Sequence, residues 1–186
     1  MKGGHAGKIL RVNLTSKTVD TIPTQKYEQW IGGYGMGMAL FYDEVDKDYI
    51  TDTAGKTGFE AENVICLLSG PLQGTLSPNG GRTEVVSMAP ESYPRPQFTR
   101  SNFGGKFSAM MKFAGYDAIV VKGAAKKPVW INVIDDKLTI EDADTLWGLD
   151  TYETQEEIWR RVNTREYQEW MQIGSARDSG RTTQRP

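Results

Sequence analysis

Through the middle of this chain the β-prone runs are short, and clusters of glycine, proline, serine or asparagine separate them. Residues 63–68, 83–88 and 97–100 are the runs. Runs of this length suit strands and are too short for a helix that buries a face. The middle third is therefore expected to be mainly sheet. Ahead of it, Lys8-Ile9-Leu10-Arg11-Val12-Asn13-Leu14 alternates apolar and polar residues over most of its length, Ser16-Lys17 makes a turn, and residues 18–22 alternate again, which predicts a hairpin. A short helix is expected from Pro23-Thr24 through Trp30-Ile31, stopping at Gly32-Gly33, and a second over residues 37–45. Residues 46–62 read as a polar surface connection. Residues 106–114 place Phe107, Met110, Met111 and Ala114 at helical spacing, with Gly115 as the cap before a buried strand at 118–121. Residues 129–134 and 138–141 around Asp135-Asp136 predict a second hairpin, and residues 151–162 an amphipathic helix capped by Asp150 or Thr151. The expected class is α+β, with one domain over residues 1–174. Residues 175–186 hold Arg177, Arg181 and Arg185 and no apolar run, and read as a polar tail or a truncated boundary.

The residue inventory restricts the chemistry. Lysine and arginine number 22 against 24 aspartates and glutamates, a net charge of −2 with both signs scattered, so no basic face for nucleic acid or anionic lipid is implied. No apolar stretch approaches the roughly 20 residues of a membrane span or follows signal-peptide grammar, and the chain reads as cytoplasmic. There is one histidine and one cysteine. His5 lies in a glycine-rich start that reads as frayed, and Cys66 sits in an apolar strand as a plain core thiol. Neither a thiolate or mixed thiolate–imidazole zinc site nor an iron-sulfur cluster can be assembled from that pair. No catalytic side chain is singled out.

Several glycine patterns invite a ligand. Gly32-Gly33-Tyr34-Gly35-Met36-Gly37 lacks the spacing of a dinucleotide fingerprint and reads as a helix-to-helix corner. Ala54-Gly55-Lys56-Thr57 ends like a phosphate loop, but Ile50 stands where the first glycine belongs. Asp46 and Asp48 start like a calcium loop and read as solvated acids. More informative are Ser77-Pro78-Asn79-Gly80-Gly81-Arg82 and Thr99-Arg100-Ser101-Asn102-Phe103-Gly104-Gly105, two glycine corners that each carry an arginine, the second at the mouth of the 106–114 helix. Adjacent glycines let backbone amides approach an anion, a helix start adds positive partial charge, and a guanidinium grips phosphate through two bonds. A phosphorylated cofactor fits that set; so do two plain turns between strands.

Five ordered motifs then carry a resemblance over nearly the whole chain: Gly7-Lys8-Ile9-Leu10-Arg11-Val12-Asn13-Leu14, Ser69-Gly70-Pro71-Leu72-Gln73-Gly74-Thr75, Gly80-Gly81-Arg82, Asn102-Phe103-Gly104-Gly105, and Lys112-Phe113-Ala114-Gly115-Tyr116-Asp117-Ala118-Ile119-Val120-Val121. Ala143-Asp144-Thr145-Leu146-Trp147-Gly148 extends it. Together they resemble the amino-terminal domain of the aldehyde ferredoxin oxidoreductases. The resemblance implies a domain of two β-sheets with a few helices that forms the base for a tungsten, less often molybdenum, bis-pterin cofactor. It implies that Arg82 meets the pterin phosphates, that the main-chain carbonyl of Asn102 helps hold a magnesium joining them, and that Phe103, Gly104 and Gly105 give close backbone contacts.

The implied reaction oxidises aldehydes to carboxylic acids and passes electrons through a 4Fe-4S cluster, not ligated by this chain, to ferredoxin or another electron-transfer subunit. The other expected partners are the remaining domains of the enzyme and a second copy in a homodimer. A related branch reduces aromatic thioesters. Phe103, where the archaeal aldehyde enzymes usually carry a small residue, and a turn lengthened at residues 90–95 both point away from simple aldehydes. A non-catalytic pterin-binding or partner-docking module is the alternative of a different class, and the chain by itself is expected to be inactive.

Overall fold

The computed structural model describes residues 3–78 and 80–162. β1 (Lys8–Asn13) and β2 (Thr18–Pro23) form the expected hairpin, with Arg11 directly opposite Asp20. The Arg11 guanidinium donates to Asp20 at 2.8 and 3.0 Å and to Glu44 at 2.9 Å. Thr24–Trp30 is helical as expected but as a 3-10 helix, ended by Ile31 at φ 66°. α1 (Gly33–Glu44) begins four residues before the expected start, so Gly35 and Gly37 lie inside a helix rather than at a corner. Close packing explains it. A Cβ on Gly37 would come within 2.8 Å of Leu68 and 3.1 Å of Val86, so glycine there lets the helix lie down on the sheet.

The connection at 46–62 contains a short helix, α2 (Lys47–Thr51), which the polar composition hid. The Asp46 side chain accepts from the N–H groups of Asp48 and Tyr49 at 2.8 and 3.2 Å, which makes it an N-cap, and Tyr49 is buried beneath.

β3 (Val64–Leu68), β4 (Thr83–Ala89), β5 (Gln97–Phe103) and β6 (Ala118–Lys122) complete a six-stranded sheet in the order β2-β1-β6-β3-β4-β5. Only β1 and β6 run parallel. α3 (Phe107–Phe113) precedes β6, and Gly115, at φ 90°, follows it. β7 (Val129–Ile134) and β8 (Lys137–Asp142) pair as a separate two-stranded sheet, turning at Asp135 with φ 52°. The class is α+β with two sheets and a few helices.

Both faces of the large sheet are covered. Ile9, Met36, Leu40, Phe41, Val64, Cys66 and Val120 belong to a core on the α1 side, whereas Leu10, Val12, Met111, Tyr116 and Ile119 pack on the other side with β7 and β8. A strand covered on both faces needs apolar residues without alternation, which accounts for the unbroken run at β6; β3 is buried on one face only, with Ile65 45% exposed. Cys66 is fully buried, and desolvation, with the charge of Glu44, pushes its thiol up to about 12.

The chain divides into two compact units that meet between Asp142 and Ala143. In the second, α4 (Thr151–Val162) starts where Asp150 accepts from the N–H groups of Tyr152 and Glu153, both at 2.8 Å. The boundary at 174 and the polar segment 175–186 lie outside the described residues. Among the described residues no helix is long and apolar enough to cross a membrane.

Candidate functional site at the glycine end of the sheet

Strand register gathers the glycine turns. Lys8 opposes Pro23, Ile9 opposes Ala118, Leu68 opposes both Ala118 and Glu84, and Thr83 opposes Phe103. The starts of β1, β4 and β6 and the ends of β2, β3 and β5 therefore share one end of the sheet. The connections carrying Gly70, Gly74, Gly80, Gly81, Gly104 and Gly105 all open there.

Arg82 is the residue just before β4, and its guanidinium Nη1 donates to the side-chain oxygen of Asn102. The two residues expected at a phosphate are thus in direct contact, with Asn102 set opposite Glu84 by the β4–β5 register. The sequence did not show this side-chain contact between Asn102 and the arginine. Asn102 also lies within β5, which runs three residues beyond the expected end at residue 100. β5 is an edge strand, and only at an edge are a strand's carbonyls free of a ladder partner on one side.

The corner proper is Gly104-Gly105. Among the described residues nothing stands within 4 Å of a Cβ built on Gly104, and Gly105 has φ 92°. Phe103 falls on the opposite face from Asn102, because successive strand residues alternate; it is 40% exposed, and its ring meets Phe107 edge-on at 5.4 Å. The structure therefore does not bring Phe103's side chain to Arg82.

Three further expectations change. Arg100 is not at the corner: it pairs across β5 with Val86, lies 3.5 Å from Glu84 and stacks 4.7 Å above the Tyr34 ring. That separation is too long for a hydrogen bond, so Glu84 Oε1 keeps only charge attraction. α3 has seven residues, two turns, which is too short for its dipole to be credited with anion binding. The lengthened turn at 90–95 joins β4 to β5 at the far end, about 20 Å away at roughly 3.3 Å per strand residue, so it does not wall the glycine end. A hollow of about 700 Å³, lined by Met38, Phe41, Met88 and Phe98 among others, opens at that far end too. Asn79 of the first corner lies outside the described residues.

The sequence missed the buried carboxylate of Asp117, 1% exposed. It accepts from the N–H groups of Ala6 and Gly7 at 2.8 and 2.7 Å, from Thr24 at 2.6 Å and from Lys112 at 2.5 Å. Burial alone would raise its pKa, but Lys112, Thr24 and the two backbone donors outweigh burial and hold it below the ordinary carboxylate range. His5, expected to fray, is instead held beside it, with Nδ1 3.7 Å from the carboxylate. The signal available was a lone acid between a capping glycine and an apolar strand, which reads equally as a turn residue.

The family model of the aldehyde ferredoxin oxidoreductase N-terminal domain matches residues 9–181. The chain is 37% identical over 163 residues to the tungsten-containing aldehyde ferredoxin oxidoreductase of Thermococcus kodakarensis, covering 87% of this chain and 25% of that protein. It is 30% identical over 162 residues to the aliphatic sulfonate oxidoreductase, WOR-like subunit, of Pyrococcus furiosus, covering 86% and 24%. Among solved structures, the active site complex BamBC of benzoyl coenzyme A reductase in complex with 1,5 dienoyl-CoA matches with a TM-score of 0.77 and 28% identity, over 88% of this chain and 24% of that one. The chain thus spans about a quarter of the length of the curated relatives it matches.

Proposed function

Since the chain belongs to the aldehyde ferredoxin oxidoreductase family, as its amino-terminal domain, we propose that it forms the base on which a tungsten or molybdenum bis-pterin cofactor lies in a longer cytoplasmic oxidoreductase. The observation that carries this reading is the Arg82–Asn102 contact at the glycine end of the sheet. An exposed guanidinium, held by an amide oxygen beside a corner where a Cβ would meet none of the described residues, fits the phosphate-bearing part of such a cofactor. In this reading Arg82 would grip the phosphates, the Asn102 carbonyl would help hold a magnesium, and Phe103, Gly104 and Gly105 would supply main-chain contacts.

When bound, the metal with its dithiolene ligands supplies the redox chemistry. This chain's own part is to bind, to orient and to wall one side of the cavity. The proposed reaction is oxidation of an aldehyde to a carboxylic acid with ferredoxin as the electron acceptor, and other parts of the enzyme would hold the 4Fe-4S cluster that serves electron transfer. Reduction of an aromatic thioester is the second reading, favoured by the likeness to the benzoyl coenzyme A reductase complex. Arg82→Ala in the full-length enzyme is expected to lower metal and pterin content at least severalfold while the cofactor-free forms of variant and wild type melt alike, because an exposed arginine makes charge-assisted bonds and little core contact. Normal metal content in that variant would refute the assignment.

A further inference from the structure

The side chain of Gln73 bridges two segments of the glycine end. Its Oε1 accepts from the Gly70 N–H at 2.7 Å, and its Nε2 donates to the Arg82 carbonyl at 3.1 Å. A side-chain amide offers an acceptor and a donor on one planar group at every pH, and the two partners fix which end is which. The turn carrying Gln73 is itself anchored. The Ser69 N–H and hydroxyl both donate to the Asp117 carbonyl, at 3.0 and 2.8 Å, and the Ser69 carbonyl accepts from the Gly33 N–H at 2.9 Å. Space is also fitted to the amide, since a Cβ on Gly70 would stand 2.8 Å from Gln73 Oε1.

We propose that Gln73 is a positioning residue for Arg82: it fixes the main chain at the start of β4 against an anchored turn, so that the guanidinium reaches Asn102 and the phosphate site already oriented. The exposed arginine side chain has many rotamers, and holding its backbone and its Nη1 from two sides lowers the entropy lost when an anion binds. This inference rests on the proposed phosphate role of Arg82.

The test uses the full-length enzyme carrying Gln73→Leu, Arg82→Ala or both, with three readouts: cofactor content, melting temperature, and binding of inorganic pyrophosphate to the cofactor-free form. Gln73→Leu should weaken pyrophosphate binding about five- to tenfold, the scale of one lost hydrogen bond's worth of orientation, and lower cofactor content. In the Arg82→Ala background it should add nothing, because Gln73 acts through that arginine. Losses that add in the double variant, or full cofactor and unchanged pyrophosphate binding in Gln73→Leu while Arg82→Ala loses both, would overturn the positioning role and leave the proposed function standing. Full cofactor in Arg82→Ala would overturn both. Should Gln73→Leu fail to fold, Gly70→Ala displaces the same amide and is read by the same outcomes.

Discussion

Asp117 shows how one buried residue can set a site it does not touch. Its carboxylate gathers the chain start, the 3-10 helix and Lys112 of α3, while its carbonyl holds Ser69 at the base of the turn that carries Gln73. Lys112 and Asp117 are 7% and 2% exposed at the side chain, and removing one partner of such a pair strands a buried charge at a cost of about 3–5 kcal/mol. Asp117→Asn is expected to destabilise on that scale near neutral pH. The pH dependence follows from the depressed pKa. The carboxylate's contribution is fully present above its unfolded value of about 3.9 and is lost as pH falls through the lower folded value. The melting-temperature gap between wild type and Asp117→Asn should therefore close below about pH 4, and a gap that stays constant toward about pH 2 would contradict the assignment. Neither this anchor nor the ordering of His5 was legible in the sequence, because a carboxylate reads as solvated until three distant segments are known to converge on it.

At the scale of elements, periodicity was a good guide where one cause acted and a poor one where two competed. The β1–β2 and β7–β8 hairpins and α4 stand close to where alternation, turn residues and the Asp150 cap put them. The glycines at 32–37 misled because local propensity argued for a corner, whereas tertiary contact decided the outcome: α1 needs a missing side chain at Gly37 to reach β3 and β4. Gly37→Val should therefore overpack this contact and destabilise by about 1–3 kcal/mol in a denaturant titration, despite valine's better helix propensity. An unchanged midpoint would mean that α1 does not pack so closely. β5 ran past its expected end because Ser101 and Asn102 are weak strand formers that pairing with β4 overrides.

For the molecule as a whole, the decisive feature is one that no local pattern specifies. The parallel pairing of β1 with β6, which are remote in sequence, brings both ends of the chain's first 120 or so residues to one sheet and gathers the glycine turns at one end of it. The motifs at Arg82 and Asn102 were legible singly, and their contact was not. Whether the open corner there serves a cofactor or the fold is decided at Gly104. Gly105, at φ 92°, is glycine for a backbone reason, but Gly104 is outside the left-handed region and a Cβ on it would touch no atom of the described residues within 4 Å. Among the described residues, neither backbone conformation nor packing calls for glycine at 104. In the full-length enzyme, metal and pterin content and melting temperature should be measured together for Gly104→Val. Gly104→Val is expected to give a folded enzyme that has lost its cofactor and melts close to cofactor-free wild type; a variant that keeps full metal and pterin would contradict the cofactor role of this corner.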